Sequence, residues 1–148
     1  MGKFEAGMEG MVDMFIYETT TLLESLDQIL IKTESESASS FGDEDINEIF
    51  RIMHTIKGSS AMMGLENMST LAHAIEDMFY IIREDKPIIT TMKQLYELVF
   101  SASDLLKAEI DLLQEETYAP TDFSESIAAI ENYVPILKGG AAPEEQAP

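Results

Sequence analysis

The sequence predicts an all-α fold, an antiparallel up-down four-helix bundle with a fifth, C-terminal helix. Three observations lead there. The long segments between breakers are rich in Leu, Ile, Met, Ala and Glu and poor in Val, the bias of helix formers. Their apolar residues recur at helical spacing. The connections between them are short, which sets successive helices antiparallel. With 148 residues, 45% of them hydrophobic, the chain suffices for one core and seldom for two.

The first predicted helix covers residues 11–31, where Met11, Phe15, Leu22, Leu26, Ile29 and Leu30 trace one stripe. Thr33 to Gly42 is Ser-rich, without periodicity, and reads as a flexible loop ending where Asp43 can cap a new helix. The second helix then runs from Asp43 to Met63, and Gly64 stands where a left-handed C-terminal cap belongs. The third spans Asn67 to Glu84, with Asn67 as N-cap and Pro87 preventing continuation. Thr91 and Gln94 form a capping-box signature for the fourth, which persists to Glu115. Asp122 and Glu125 repeat that arrangement before a shorter fifth helix that ends near Leu137. The domain is therefore expected over residues 8–137, with 138–148, KGGAAPEEQAP, as a flexible linker or tail.

Charge and composition exclude several function classes. A formal charge of -19, from 28 acidic and 9 basic residues, repels nucleic acid and anionic lipid alike. There is no cysteine, so disulfides, thiol nucleophiles and Cys-based zinc sites are ruled out. No uncharged stretch approaches the ~20 residues that span a bilayer, and the N-terminus lacks a signal-peptide core. A cytoplasmic protein without membrane insertion is the expectation. The ten methionines fall mostly on core stripes, where Met fills irregular gaps, in preference to forming a Met-rich docking groove.

The informative segment is Phe50–Gly64, FRIMHTIKGSSAMMG. At about 100° per residue, Ile46, Ile49, Ile52, Met53, Ile56, Ser59, Ser60 and Met63 share one arc, and His54 points away from it. An accessible imidazole is expected. Lys57, Gly58 and Ala61 follow His54 at offsets of three, four and seven, on its own side of the helix. A phosphoryl group on that ring finds an ammonium within reach, and the missing bulk lets another protein's active site close over it. A mid-helix Gly costs ~1 kcal/mol relative to Ala, so Gly58 needs a reason; close helix–helix approach is the structural alternative. The core stripe of the third helix, Met68, Leu71, Ile75, Met78, Phe79 and Ile82, leaves His73, Glu76 and Tyr80 near the opposite side. Antiparallel pairing across the Gly64 turn brings His73 and Glu76 level with His54. A carboxylate there accepts a hydrogen bond from His54 Nδ1–H and leaves Nε2 as nucleophile. Glu76 is the candidate for this orienting role; His73 either extends the network or is an idle surface residue.

The run His54-Thr55-Ile56-Lys57-Gly58-Ser59-Ser60-Ala61 resembles the phosphoacceptor motif of histidine phosphotransfer domains. A His and a Glu placed as His73 and Glu76 are, with a fifth helix and a low-complexity tail, resemble more narrowly the N-terminal phosphotransfer domain of CheA-type chemotaxis kinases. The resemblance covers Met8 to Leu137. It implies that His54 is phosphorylated on Nε2, that Glu76 hydrogen-bonds the other ring nitrogen, and that His73 and Lys57 join the same network. It also implies that a CheA-type kinase catalytic domain donates the ATP γ-phosphoryl group and that an aspartate of a CheY-like response regulator receives it. ATP and Mg²⁺ would then belong to those partners, with no cofactor bound by this chain.

Three other readings compete. A phosphotransfer module of a hybrid kinase, or a free-standing phosphorelay shuttle, keeps the mechanism and changes the partners. A metal-binding bundle fits poorly, because di-iron bundles carry Glu-x-x-His whereas the order here is His73-x-x-Glu76, on faces turned from the core; no metal ligand is assigned. An acidic adaptor or chaperone explains charge and helicity but not Lys57-Gly58 beside an exposed histidine. Partner docking is expected around His54, on Arg51, Gly58 and Ala61, and a monomer is expected because the bundle consumes the apolar stripes.

Overall fold

A computed structural model describes residues 7–36 and 40–139. Among these, every regular element is a helix: α1 (Glu9–Ser35), α2 (Asp43–Met62), α3 (Glu66–Asp85), α4 (Met92–Leu112) and α5 (Ser124–Leu137). The first four make the bundle. α2 and α3 pair along their length, α1 packs on α4 and α2, and α5 lies on α3 with its edge against α4.

The α2–α3 turn sets the register of the pair that matters for function. Gly64 adopts φ +75°, as expected. The N–H of Leu65 reaches back to the carbonyl of Ser60 (2.8 Å) and that of Gly64 to Ala61 (3.0 Å), closing the helix end in a Schellman-type reversal. Leu65 is fully buried beneath it. The third stripe is as expected: Met68, Leu71, Ile75, Met78, Phe79 and Ile82 are all buried, opposite Ile46, Ile49, Ile52, Met53 and Ile56 of α2.

On α1 the buried stripe is Val12, Phe15, Thr19, Leu23, Leu26, Leu30 and Thr33, rotated by about one residue from the expected one. Met11 is 57% exposed, and Leu22 and Ile29 are only half-buried. Two threonines hold inward positions that an apolar count overlooks. Thr33 is tolerated there because its hydroxyl donates to the Ile29 carbonyl (2.8 Å), so its polar atom enters the core satisfied.

The capping expectations fared less well. Asn67 lies inside α3, whose N-cap is Leu65. Its amide instead donates to Glu109 Oε2 (2.9 Å) and to the Thr121 carbonyl (2.9 Å). Thr91 is the N-cap of α4 but makes no side-chain cap bond; its hydroxyl pairs with Tyr133 Oη (2.7 Å), tying α5 to the start of α4. Asp122 acts one residue before the Phe123 cap, where its carboxylate accepts from the Ser124 N–H (2.9 Å). Asp43 is the first residue of α2, behind Gly42, and with Glu44 and Asp45 complements the positive end of the helix dipole. α4 stops at Leu112, short of Glu115.

The region expected as a loop is anchored at both ends. α1 continues to Ser35, and Phe41 is buried edge-on against Phe79 (5.6 Å) and Tyr96 (5.7 Å). Residues 37–39 of that loop lie outside the described residues, as do 140–148 of the expected tail; Lys138 and Gly139 form a turn after α5. The α4–α5 connection is held by a buried carboxylate. Glu109 accepts from Asn67, from Tyr118 Oη (2.5 Å) and from the Thr121 N–H (3.0 Å). Burial pushes its carboxyl up, but these donors outweigh burial and hold it below the usual glutamate range.

Candidate functional site

His54 lies near the middle of α2 with its side chain 63% exposed. Ile52, Met53 and Ile56 around it are buried, so the helix is fixed by its core face while the imidazole faces solvent. Across the α2–α3 seam, Glu76 Oε2 stands 2.5 Å from His54 Nδ1. Glu76 itself is buried, at 5% exposure, which corrects its expected place on a face turned from the core. α2 covers that side of α3, so the carboxylate sits in the seam between the helices.

The other oxygen of Glu76 faces two cations or potential cations. Lys57 Nζ is 2.8 Å from Oε1, and His73 Nδ1 is 3.5 Å away. His73 Nε2 approaches Asp77 Oδ2 at 3.1 Å. Burial raises the Glu76 carboxyl, and the hydrogen bonds and charges of Lys57 and His54 more than offset this, leaving it below the usual range. The group is therefore an anion at neutral pH. An ionised carboxylate only accepts, so the proton of a neutral His54 resides on Nδ1 and the lone pair on Nε2. A further bond levels the two helices, from Ser69 Oγ to the Lys57 carbonyl (2.9 Å).

His54, Lys57, His73 and Glu76 thus form one connected constellation. Arg51, Gly58 and Ala61 share the exposed face of α2 with His54. Arg51 pairs loosely with Glu48 (3.3 Å) on its own helix. A β-carbon built on Gly58 would meet nothing within 4 Å, so close helix packing does not explain that glycine.

Sequence reasoning missed three neighbours. Phe50, one turn before His54, lies nearly parallel to the imidazole (7°, centroids 6.3 Å apart). Arg83 of α3 places its guanidinium 4.3 Å over the Phe50 ring. Asp77 completes the surroundings of His73. Their spacing was the available signal: Phe50 precedes His54 by four residues and Arg83 follows Glu76 by seven. Among the described residues no group of three or more His, Asp or Glu side chains is placed to hold a metal ion, and no helix is long and apolar enough to cross a membrane.

The family model of the Hpt domain matches residues 10–116, which takes in all four bundle helices. The chain belongs to the Hpt domain family. Histidine phosphotransfer in two-component signalling is the function of such a domain, and this Hpt chain presents one exposed imidazole on α2, that of His54. It is similar to the chemotaxis protein CheA of Listeria monocytogenes serovar 1/2a, with 29% identity over 121 residues, 82% of this chain and 19% of that protein. It is similar also to CheA of Halobacterium salinarum, 29% identical over 83% of this chain and 18% of that protein. The sensor histidine kinase CheAY of Helicobacter pylori is 33% identical over 68% of this Hpt chain and 12% of its own length. The chain thus spans about a fifth or less of the curated relatives it matches.

Proposed function

We propose that this Hpt domain serves chemotaxis-type signalling, with His54 Nε2 accepting the γ-phosphoryl group of ATP from a CheA-type kinase catalytic domain and passing it to an aspartate of a CheY-like response regulator. The observation that carries this reading is the 2.5 Å contact between His54 Nδ1 and the buried Glu76, on an otherwise exposed ring.

In the first half-reaction the Nε2 lone pair attacks the γ-phosphorus, the N–P bond forms, and the bond to the bridging oxygen breaks as ADP leaves. The imidazole keeps its Nδ1 proton and gains positive charge as the bond forms. Glu76 meets that charge with an anion fixed in advance and needing no reorganisation. In the second half-reaction a carboxylate oxygen of the acceptor attacks phosphorus, the P–N bond breaks, and Nε2 recovers its lone pair. ATP and Mg²⁺ belong to the partner domains. Lys57, paired with the second oxygen of Glu76 at 2.8 Å, and His73, 3.5 Å from it, place positive or potentially positive groups on that side of the carboxylate while the first oxygen faces the ring. Arg51, Gly58 and Ala61 flank His54 where a partner's active site must close.

The test is incubation with a separately prepared CheA-type kinase core and labelled ATP, comparing the unmodified chain with His54→Gln and His73→Gln. Acid-labile, base-stable label that disappears only in His54→Gln supports the assignment. Label that survives His54→Gln overturns it.

A further inference from the structure

Both arginines of the sequence, Arg51 and Arg83, come from different helices and line one shallow cavity with Asn47, Phe50 and His54. In a chain with 28 acidic and only 9 basic residues, that concentration beside the one exposed imidazole of α2 is not a consequence of composition. We propose that this cavity is an anion subsite, in which the two guanidinium groups receive the oxygens of the phosphoryl group carried on His54. The inference rests on the assignment of His54 as phosphoacceptor and extends it to residues outside the Glu76 network.

The structure positions Arg83 for this task. Its guanidinium lies 4.3 Å above the Phe50 ring and 5.6 Å from the Tyr80 ring, so two aromatic faces hold the cation and limit its rotamers. Phe50 also lies parallel to His54 with centroids 6.3 Å apart, so the imidazole and the guanidinium both neighbour that ring. Arg83 Nε is engaged by Glu84 (3.0 Å) and Arg51 by Glu48 (3.3 Å). The remaining N–H groups of both donate no hydrogen bond to any described residue, and each guanidinium has five in all.

Charge balance points the same way. A phosphoryl group brings about -1.5 to -2 charges. Lys57, the cation next along α2, is already matched by Glu76 at 2.8 Å. The acidic neighbours Glu48 and Glu84 are on the surface and can be exchanged for a doubly charged anion with planar, forked donor geometry in its favour.

An anion subsite for the carried group stabilises the phosphorylated state over the free one, so it must move the equilibrium of phosphoryl exchange between ATP and this domain, whatever it does to rates. The experiment measures that equilibrium constant, approached from both directions with kinase core, ATP and ADP, for the unmodified chain, Arg83→Gln, Arg51→Gln, the double variant and Lys93→Gln as a distant charge control. Thermal melting of each confirms the fold. Loss of roughly three- to tenfold in the equilibrium level of phosphorylation for Arg83→Gln, deepened in the double variant and absent in Lys93→Gln, is expected for charge-assisted contacts at a partly exposed site. An unchanged equilibrium with a raised KM for the domain overturns the proposal and assigns the arginines to partner or nucleotide docking. An unchanged equilibrium and unchanged rates overturn it outright. Absence of label on the unmodified chain, or label surviving His54→Gln, is the separate failure of the phosphoacceptor assignment.

Discussion

Gly58 stands one turn beyond His54 on the same exposed face of α2, and a β-carbon there would meet, beyond its own helical backbone, no atom of the described residues within 4 Å. The helix therefore carries a glycine that its own packing does not require. Gly58→Ala is expected to raise stability by about 0.5–1 kcal/mol, through helix propensity and a more restricted unfolded chain. Larger residues at the same site, such as Gly58→Leu, are expected to keep most of that gain in stability, since Leu is also a strong helix former, and to slow phosphoryl transfer in both directions. Melting curves and transfer rates on the same preparations check both halves.

Glu76 is expected to act on reactivity more than on the presence of His54. Glu76→Ala removes the acceptor for Nδ1–H and should slow phosphorylation by about 10²-fold, the usual contribution of a positioned acid–base partner. Glu76→Gln keeps an acceptor oxygen without the charge and should fall between. Ring nitrogen signals of His54 provide the second readout. Loss of a single preferred Nδ1–H tautomer in Glu76→Ala is expected, and its persistence would disprove the orienting role.

His73→Gln and Lys57→Met probe the other oxygen of Glu76. Both are expected to reduce the phosphorylation rate less than Glu76→Ala does, because each removes one of two supports while the His54–Glu76 contact stays. Steady-state labelling at matched kinase concentration ranks the three.

Glu109 carries the prediction for pH. Its folded-state pKa lies below the unfolded value, which for Glu is about 4.3. A depressed carboxyl contributes stability that is fully present above the unfolded value and is lost as the pH falls through the folded one. Glu109→Gln should remove that part of the acid limb, so that unfolding free energy varies less between neutral pH and the region below pH ~4. Glu109→Ala leaves the Asn67, Tyr118 and Thr121 donors without their acceptor and is expected to lose about 2–3 kcal/mol at neutral pH. Urea melts across pH check both variants.

Docking is tested by Ala61→Arg and Asn47→Arg, which add bulk and charge on the exposed face of α2 on either side of His54 without touching the core. Slower donation and acceptance with unchanged melting is the expected outcome, and the unmodified rate in both variants would remove this face as the contact surface.

Much of this was legible in the sequence because its strongest signals are periodic or stereochemical. Gly64 marked the α2–α3 reversal, since only a residue tolerant of positive φ closes that turn, and the spacing on α2 put His54 outside its apolar arc. Glu76 was found through its register with His54, but its burial was not, because a helical wheel does not say which neighbour covers a polar face. Thr33 displaced the α1 stripe, together with the buried Thr19, for a related reason: the Thr33 hydroxyl, bonded to a carbonyl of its own helix, is effectively apolar, and composition cannot show that bond. Asn67, Thr91 and Asp122 look like caps in one dimension, but tertiary partners claim the first two. Arg83 and Phe50 meet only through the packing of α2 on α3, so no local pattern revealed their contact.

The groups that must be placed most accurately, from Phe50 to Arg83, all lie on one helical hairpin closed by the Gly64 turn. α1, α4 and α5 supply the ground on which that hairpin rests, but none contributes a group to the His54–Glu76–Lys57–His73 constellation. Damage to the supporting helices should therefore lower the fraction of folded molecules while leaving each surviving molecule chemically intact. Only changes within the hairpin should yield a population that is fully folded and yet unable to relay a signal.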